Sequence, residues 1–173
     1  MDSQSEQVTK TVIRAATGCL DDCVDRIEHA TQQLNDAQIW YRHDEAMNSI
    51  GNLLLHLCGN LRQWIMAGIG DAEDDRDRPA EFRQREVIPR AALLRDLRAT
   101  VEEAKAVLSQ VEAVNLLQNR RVQGFEVNGW EIVFNSIPHF QGHTQEIVAM
   151  TRMQLGEQYQ FHWQPTTPEA GAP

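Results

Sequence analysis

Pro138-His139-Phe140-Gln141-Gly142-His143-Thr144-Gln145-Glu146-Ile147-Val148 sets two histidines four residues apart inside a run of helical character. One α-helical turn takes about 3.6 residues, so His139 and His143 stack on one face. Two imidazoles so placed can grip one divalent cation from the same side. Around them Trp130, Val133, Phe134, Ile137, Phe140, Ile147, Val148 and Leu155 form an apolar arc, with both histidines on its edge. Asn128-Gly129-Trp130-Glu131 is a capping signature and Gly156 a stop, so this helix is expected over about 129–155. Pro138 removes one backbone donor and is expected to kink it just ahead of His139.

Working outward, the segment Arg121 to Gly129 alternates briefly and closes on Asn128-Gly129. It reads as a small hairpin or an extended loop, too short to change an all-α fold class. Before it, Leu93, Leu94, Leu97, Val101, Ala104, Val107, Leu108 and Val111 repeat with helical spacing. They predict a scaffold helix over about 89–111, with Pro89 in its first turn. Asp71-Ala72-Glu73-Asp74-Asp75-Arg76-Asp77-Arg78-Pro79 opens a charged connection that reads as a solvated loop. Arg76 and Arg78 would compete with a cation for its carboxylates, which argues against a cation-binding loop. Ala80-Glu81-Phe82 adds a short turn that tucks Phe82 inward.

A further helix is expected over about 49–67, capped by Asn48 and ended by Gly68 and Gly70. On its wheel Ile50, Leu53, Leu54, Leu57, Leu61, Trp64 and Ile65 fill the core arc. His56, Asn60, Gln63 and Ser49 lie together on the flank of that arc. His56 is therefore the candidate third ligand, and Asn60, four residues on, can support it or a substrate. The first helix is expected over about 7–34, followed by a break at Asn35-Asp36. Its Cys19 and Cys23 share a face and read as small core-facing side chains rather than a metal or redox pair. Tyr159, Phe161 and Trp163 are expected to dock. Residues 1–163 make one domain of four helices, and 164–173 a loose tail rich in proline and alanine.

The chain has 173 residues, 42% of them hydrophobic, enough for one domain with a real core. Its 25 acidic against 16 basic residues give a formal charge of −9, which argues against nucleic acid or an anionic membrane as a partner. No apolar run is long enough to span a bilayer, the N-terminus has no signal-peptide pattern, and three cysteines are no disulfide framework. A cytoplasmic location is the expectation.

His139 and His143 do not form a zincin motif, because Phe140 stands where that motif needs Glu. Three neutral imidazoles leave a fourth position open, the arrangement of a catalytic rather than a structural zinc site. Imidazole suits zinc, nickel, copper and iron alike. No Gly-x-Ser-x-Gly, phosphate-binding loop or nucleotide-binding glycine run supplies other chemistry. Glu146 and His43 are candidate acid–base helpers, though each reads first as a surface residue.

Leu53-Leu54-Leu55-His56-Leu57-Cys58-Gly59-Asn60-Leu61-Arg62-Gln63-Trp64 followed far downstream by His139-x-x-x-His143 and Ile147 resembles the DinB/YfiT-like metalloenzyme superfamily, over about Val8 to Gly156. The resemblance implies an up-down four-helix bundle, often a homodimer, with His56, His139 and His143 binding zinc, nickel or a similar ion. For some members it also implies thiol-dependent S-transfer or isomerisation with a low-molecular-weight thiol, the histidines acting as ligands and no protein nucleophile being required. Members often carry His-x-Gly-Gln-Ile after the second ligand; here His143-Thr144-Gln145-Glu146-Ile147 departs from it. A metal-assisted hydrolase and a non-catalytic metal-binding or ligand-sensing bundle are the alternatives.

Overall fold

The computed structural model describes residues 3–163, so the expected loose tail at 164–173 lies outside the described residues. The fold is mostly helical with one two-stranded sheet. Four long helices dominate: α1 (Ser3–Thr31), α3 (Ile50–Leu61, prolonged by wide i→i+5 turns over Arg62–Ala67), α5 (Arg90–Gln110) and α7 (Gly129–Leu155). Between them lie the short α2 (Asp36–Ile39), α4 (Arg78–Arg83) and α6 (Ala113–Leu116), and the hairpin β1 (Asn119–Val122) and β2 (Phe125–Asn128). A 3₁₀ turn over Gly156–Gln158 follows α7. No helix among the described residues is long and apolar enough to cross a membrane.

The four long helices form a ring: α1 packs on α5 and α7, and α3 packs on α5 and α7. Fully buried Leu20, Ile27, Leu53, Leu54, Leu57, Leu61, Leu97, Leu108 and Phe140 fill its centre. Cross-links between the helices set their directions. Glu28 bonds Arg98 and Asp21 bonds Lys105, so α1 and α5 run antiparallel. Arg62 reaches Asp96 and Thr100, while Gly70 lies against Val107, so α3 and α5 run the same way. His56 meets His139, and Trp64 and Gly68 meet the hairpin that precedes α7, so α3 and α7 are antiparallel.

The succession is therefore up, down, down, up, not the alternating up-down order expected. It has a consequence for the connection between α3 and α5. Because those helices are parallel, the segment 71–89 must return along the length of α3. It does so as a crossover laid on α3, bonded from Gln63 at one end to Asn52 at the other.

Local details differ from expectation at several points. Ser49, not Asn48, caps α3: its hydroxyl accepts from Asn52 N at 3.2 Å, and the Asn52 side chain accepts from Ser49 N at 3.1 Å. The segment read as a hairpin or an extended loop is a hairpin, turning at Gln123-Gly124, where φ is 51° and 86°. Positive φ at both positions suits a two-residue hairpin turn, while Asn128 caps α7 through a reciprocal bond with Glu131. Phe134, placed in the core arc by its hydropathy, is exposed, whereas Ser136, Thr144 and Thr151 face inward. Two of these are satisfied on their own helix, Thr144 bonding Phe140 O and Thr151 bonding Ile147 O, both at 2.9 Å. Of the terminal aromatics only Tyr159 docks; Phe161 and Trp163 stay exposed.

Candidate metal centre

α3 and α7 bring three histidines together. His56 is buried in the middle of α3, and His139 and His143 stand one turn apart on α7. The three offer ring nitrogens that all lie within 4.8 Å of one another, close enough for one ion. The rings stand edge to face, their centroids 4.5 to 5.1 Å apart. His56 Nε2 approaches His139 Nε2 to 3.0 Å.

The partners of the rings set their tautomers. His56 Nδ1 lies 2.8 Å from Glu81 Oε2. Arg76 Nη2 also lies 3.0 Å from this nitrogen, but it has Glu81 Oε2 to donate to at 2.9 Å. A bare Nδ1 would set its lone pair against that closer carboxylate oxygen, so Nδ1 carries the hydrogen and donates it to Glu81. His143 Nδ1 donates in the same way to Glu146 Oε2 at 2.7 Å. Both rings thus keep Nε2 as the lone pair left for an ion. Burial, reinforced by the neighbouring His143 and His56 and then Arg76 and Arg78, pushes His139 down to about 4. Neutral imidazole is the form that binds metal.

The donor set fits a divalent ion of intermediate character: three uncharged nitrogens on two packed helices, with two rings oriented by carboxylates. Two facing Nε2 lone pairs repel unless a cation or a proton lies between them, so the close approach of His56 to His139 suits a shared cation.

Glu81 and Arg76 come from the crossover. Arg76 Nε donates to Glu81 Oε1 at 2.7 Å and Arg76 Nη2 to Glu81 Oε2 at 2.9 Å. The side chains of His56, Glu81 and Arg76 are only 5%, 10% and 4% exposed, so this is a buried trio. Burial alone would raise the Glu81 carboxyl. The hydrogen bonds from His56 and Arg76 outweigh it and hold that group below the usual carboxylate range. Phe82 lays its ring 4.8 Å from that of His56.

A family model described as "Protein of unknown function (DUF1572)" matches residues 7–166. The chain belongs to the DUF1572 family. No curated protein matches it. A conserved protein from Enterococcus faecalis, known from a crystal structure, is similar at a TM-score of 0.69 and 18% identity, over 84% of this chain and 98% of that one. At that identity the likeness concerns the fold alone.

In this DUF1572 chain the other residues marked by sequence fall differently. Asn60 is buried, makes no bond to His56, and its Oδ1 has no partner among the described residues. His43 lines an open groove of about 590 Å³ with Tyr41, Met47, Met150 and Met153, and no histidine of the triad lines it. Cys19 and Cys23 are free thiols, the second buried. Arg76 and Glu81 were missed because their segment reads as a run of mixed charge. One signal was available. A Cβ at Gly59 would collide with the Glu81 carboxylate and Arg76 Nε, so a glycine three residues after His56 marks a close approach.

Proposed function

We propose that this protein is a metal-dependent enzyme in which His56, His139 and His143 hold one divalent ion, zinc or nickel, and leave a further position for a small-molecule substrate. The convergence of three imidazoles from two helices, each able to turn a bare nitrogen inward, is the observation that carries the reading. A bound ion supplies Lewis acidity toward a thiol or a water. The chain's own contribution is to hold two rings in one orientation through Glu81 and Glu146 and to bury His56 away from solvent. Glu146 is exposed and accepts from the outward nitrogen of His143.

The ring of four long helices supports reading the fold as a four-helix bundle of the DinB/YfiT-like type, with the crossover as a variation. On that reading the reaction is S-transfer from a low-molecular-weight thiol, and the working form is a homodimer.

Elemental analysis of the purified protein tests the centre. One divalent ion per chain is expected, and His56→Ala, His139→Ala and His143→Ala should each abolish stoichiometric uptake while far-UV circular dichroism is retained. Protein that holds no ion and takes up none would end the proposal. A variant that loses the ion together with most of its thermal stability would point to a structural ion instead. A thiol-transfer screen with the ion present and removed then addresses the reaction, and sedimentation addresses the dimer.

A further inference from the structure

We propose that Glu81, locked by Arg76, is the positioning residue of this centre, so that ion binding at the three histidines and docking of the crossover are one coupled event. The inference rests on the metal reading above and goes beyond it by assigning a role to a segment outside the ligand helices.

Both oxygens of Glu81 are used. Oε1 accepts from Arg76 Nε, and Oε2 accepts from Arg76 Nη2 and from His56 Nδ1. The guanidinium is tied down in turn, because its Nη1 donates to Gln63 Oε1 at 2.9 Å and Gln63 Nε2 donates to Asp74 at 2.9 Å. The backbone of the same segment is pinned at the other end, where Asn52 Nδ2 donates to Glu81 O at 2.7 Å and Gln84 O at 3.2 Å. Gly59 leaves the space into which the carboxylate and guanidinium fit. The anchors on α3 thus run from Asn52 to Gln63, with His56 between them.

A buried ion pair is a poor stabiliser by itself, since desolvation of both charges offsets most of their attraction. This one has a third partner, the outward nitrogen of a ligand ring. While Glu81 is docked, the His56 ring cannot rotate and its Nε2 stays aimed at His139 and His143. When the crossover lifts, the ring is free and Glu81 and Arg76 are exposed together. Coupling between two such events is reciprocal: an ion that prefers the fixed ring favours the docked crossover to the same extent.

Cobalt(II), which reports its ligand geometry in visible absorption, and zinc are the probes. Glu81→Gln keeps the shape and one acceptor but loses the charge that holds Arg76. It is expected to weaken Co²⁺ and Zn²⁺ binding by about 10–100-fold, as loss of a carboxylate behind a ligand histidine does elsewhere, and to change the Co²⁺ spectrum. Glu73→Gln, an exposed acid on the same crossover, is expected to leave both as in the wild type. Hydrogen exchange on the unaltered protein supplies a readout that needs no variant: amides of residues 76–84 should exchange more slowly once Zn²⁺ is added. Unchanged affinity and spectrum in Glu81→Gln, an equal loss in Glu73→Gln, or exchange indifferent to Zn²⁺ would each overturn the coupling and leave the metal centre standing. A wild-type protein that binds neither ion would instead remove the centre, and the coupling with it.

Discussion

At the scale of single residues, burial decides which groups are chemically available. Cys58 is buried and its thiol is pushed up to about 12 by burial, with Asp96 adding to the effect, whereas Cys19 is only half-buried. Thiolate is the reactive form, so at pH 8 an alkylating reagent should modify Cys19 first and leave Cys58 untouched until the protein unfolds. Peptide mapping by mass spectrometry checks the order, and early labelling of Cys58 would contradict its packing. His139 makes a pH prediction. Its ordinary value of 6.5 falls to about 4 in the fold, so between these values the unfolded chain binds a proton that the folded one refuses. Stability of the metal-free protein is then complete above about 6.5 and declines as pH falls toward about 4. Denaturation midpoints measured across that window should slope down on the acid side, and His139→Gln should flatten part of the slope. His56 and His143 were legible as sequence because a histidine on the flank of an apolar helix needs a partner. Arg76 and Glu81 were not, because nothing in a run of mixed charge says which members will be buried.

At the scale of elements, the helices were legible to within a few residues, since apolar spacing and caps both write themselves into the chain. Asn128 is the clearest case: it accepts from Glu131 N at 3.0 Å, and Glu131 Oε2 accepts from Asn128 N at 2.7 Å. Replacing it by alanine should cost about 1 kcal/mol, read from the shift in a urea midpoint. The loss should appear without any loss of metal uptake, because the cap lies three turns before His139. The position of the hairpin turn was not legible, for a physical reason. Asn-Gly favours positive φ at a turn, but the same asparagine side chain also caps a helix, and here the helix takes it. Gln123-Gly124 carries a weaker turn signal and is fixed by the pairing of Val122 with Phe125 on either side of it.

At the scale of the whole molecule, helix spacing could not reveal helix direction. The amphipathic patterns of α3 and α5 are the same whether these helices run parallel or antiparallel; only Arg62, Asp96, Thr100 and Val107 in three dimensions decide it. With the direction undecided, the stretch 71–89 passes for an ordinary loop, and the crossover over His56 is invisible. One further property of this ring concerns synthesis. α1 is made well before α7, yet α7 packs against it. Leu20 and Ile27 are fully buried in the finished protein, so the nascent chain carries an uncovered oily surface until α7 has been translated. Fragments ending upstream of Gly129 should therefore aggregate where the whole chain does not, which light scattering of truncated chains would check.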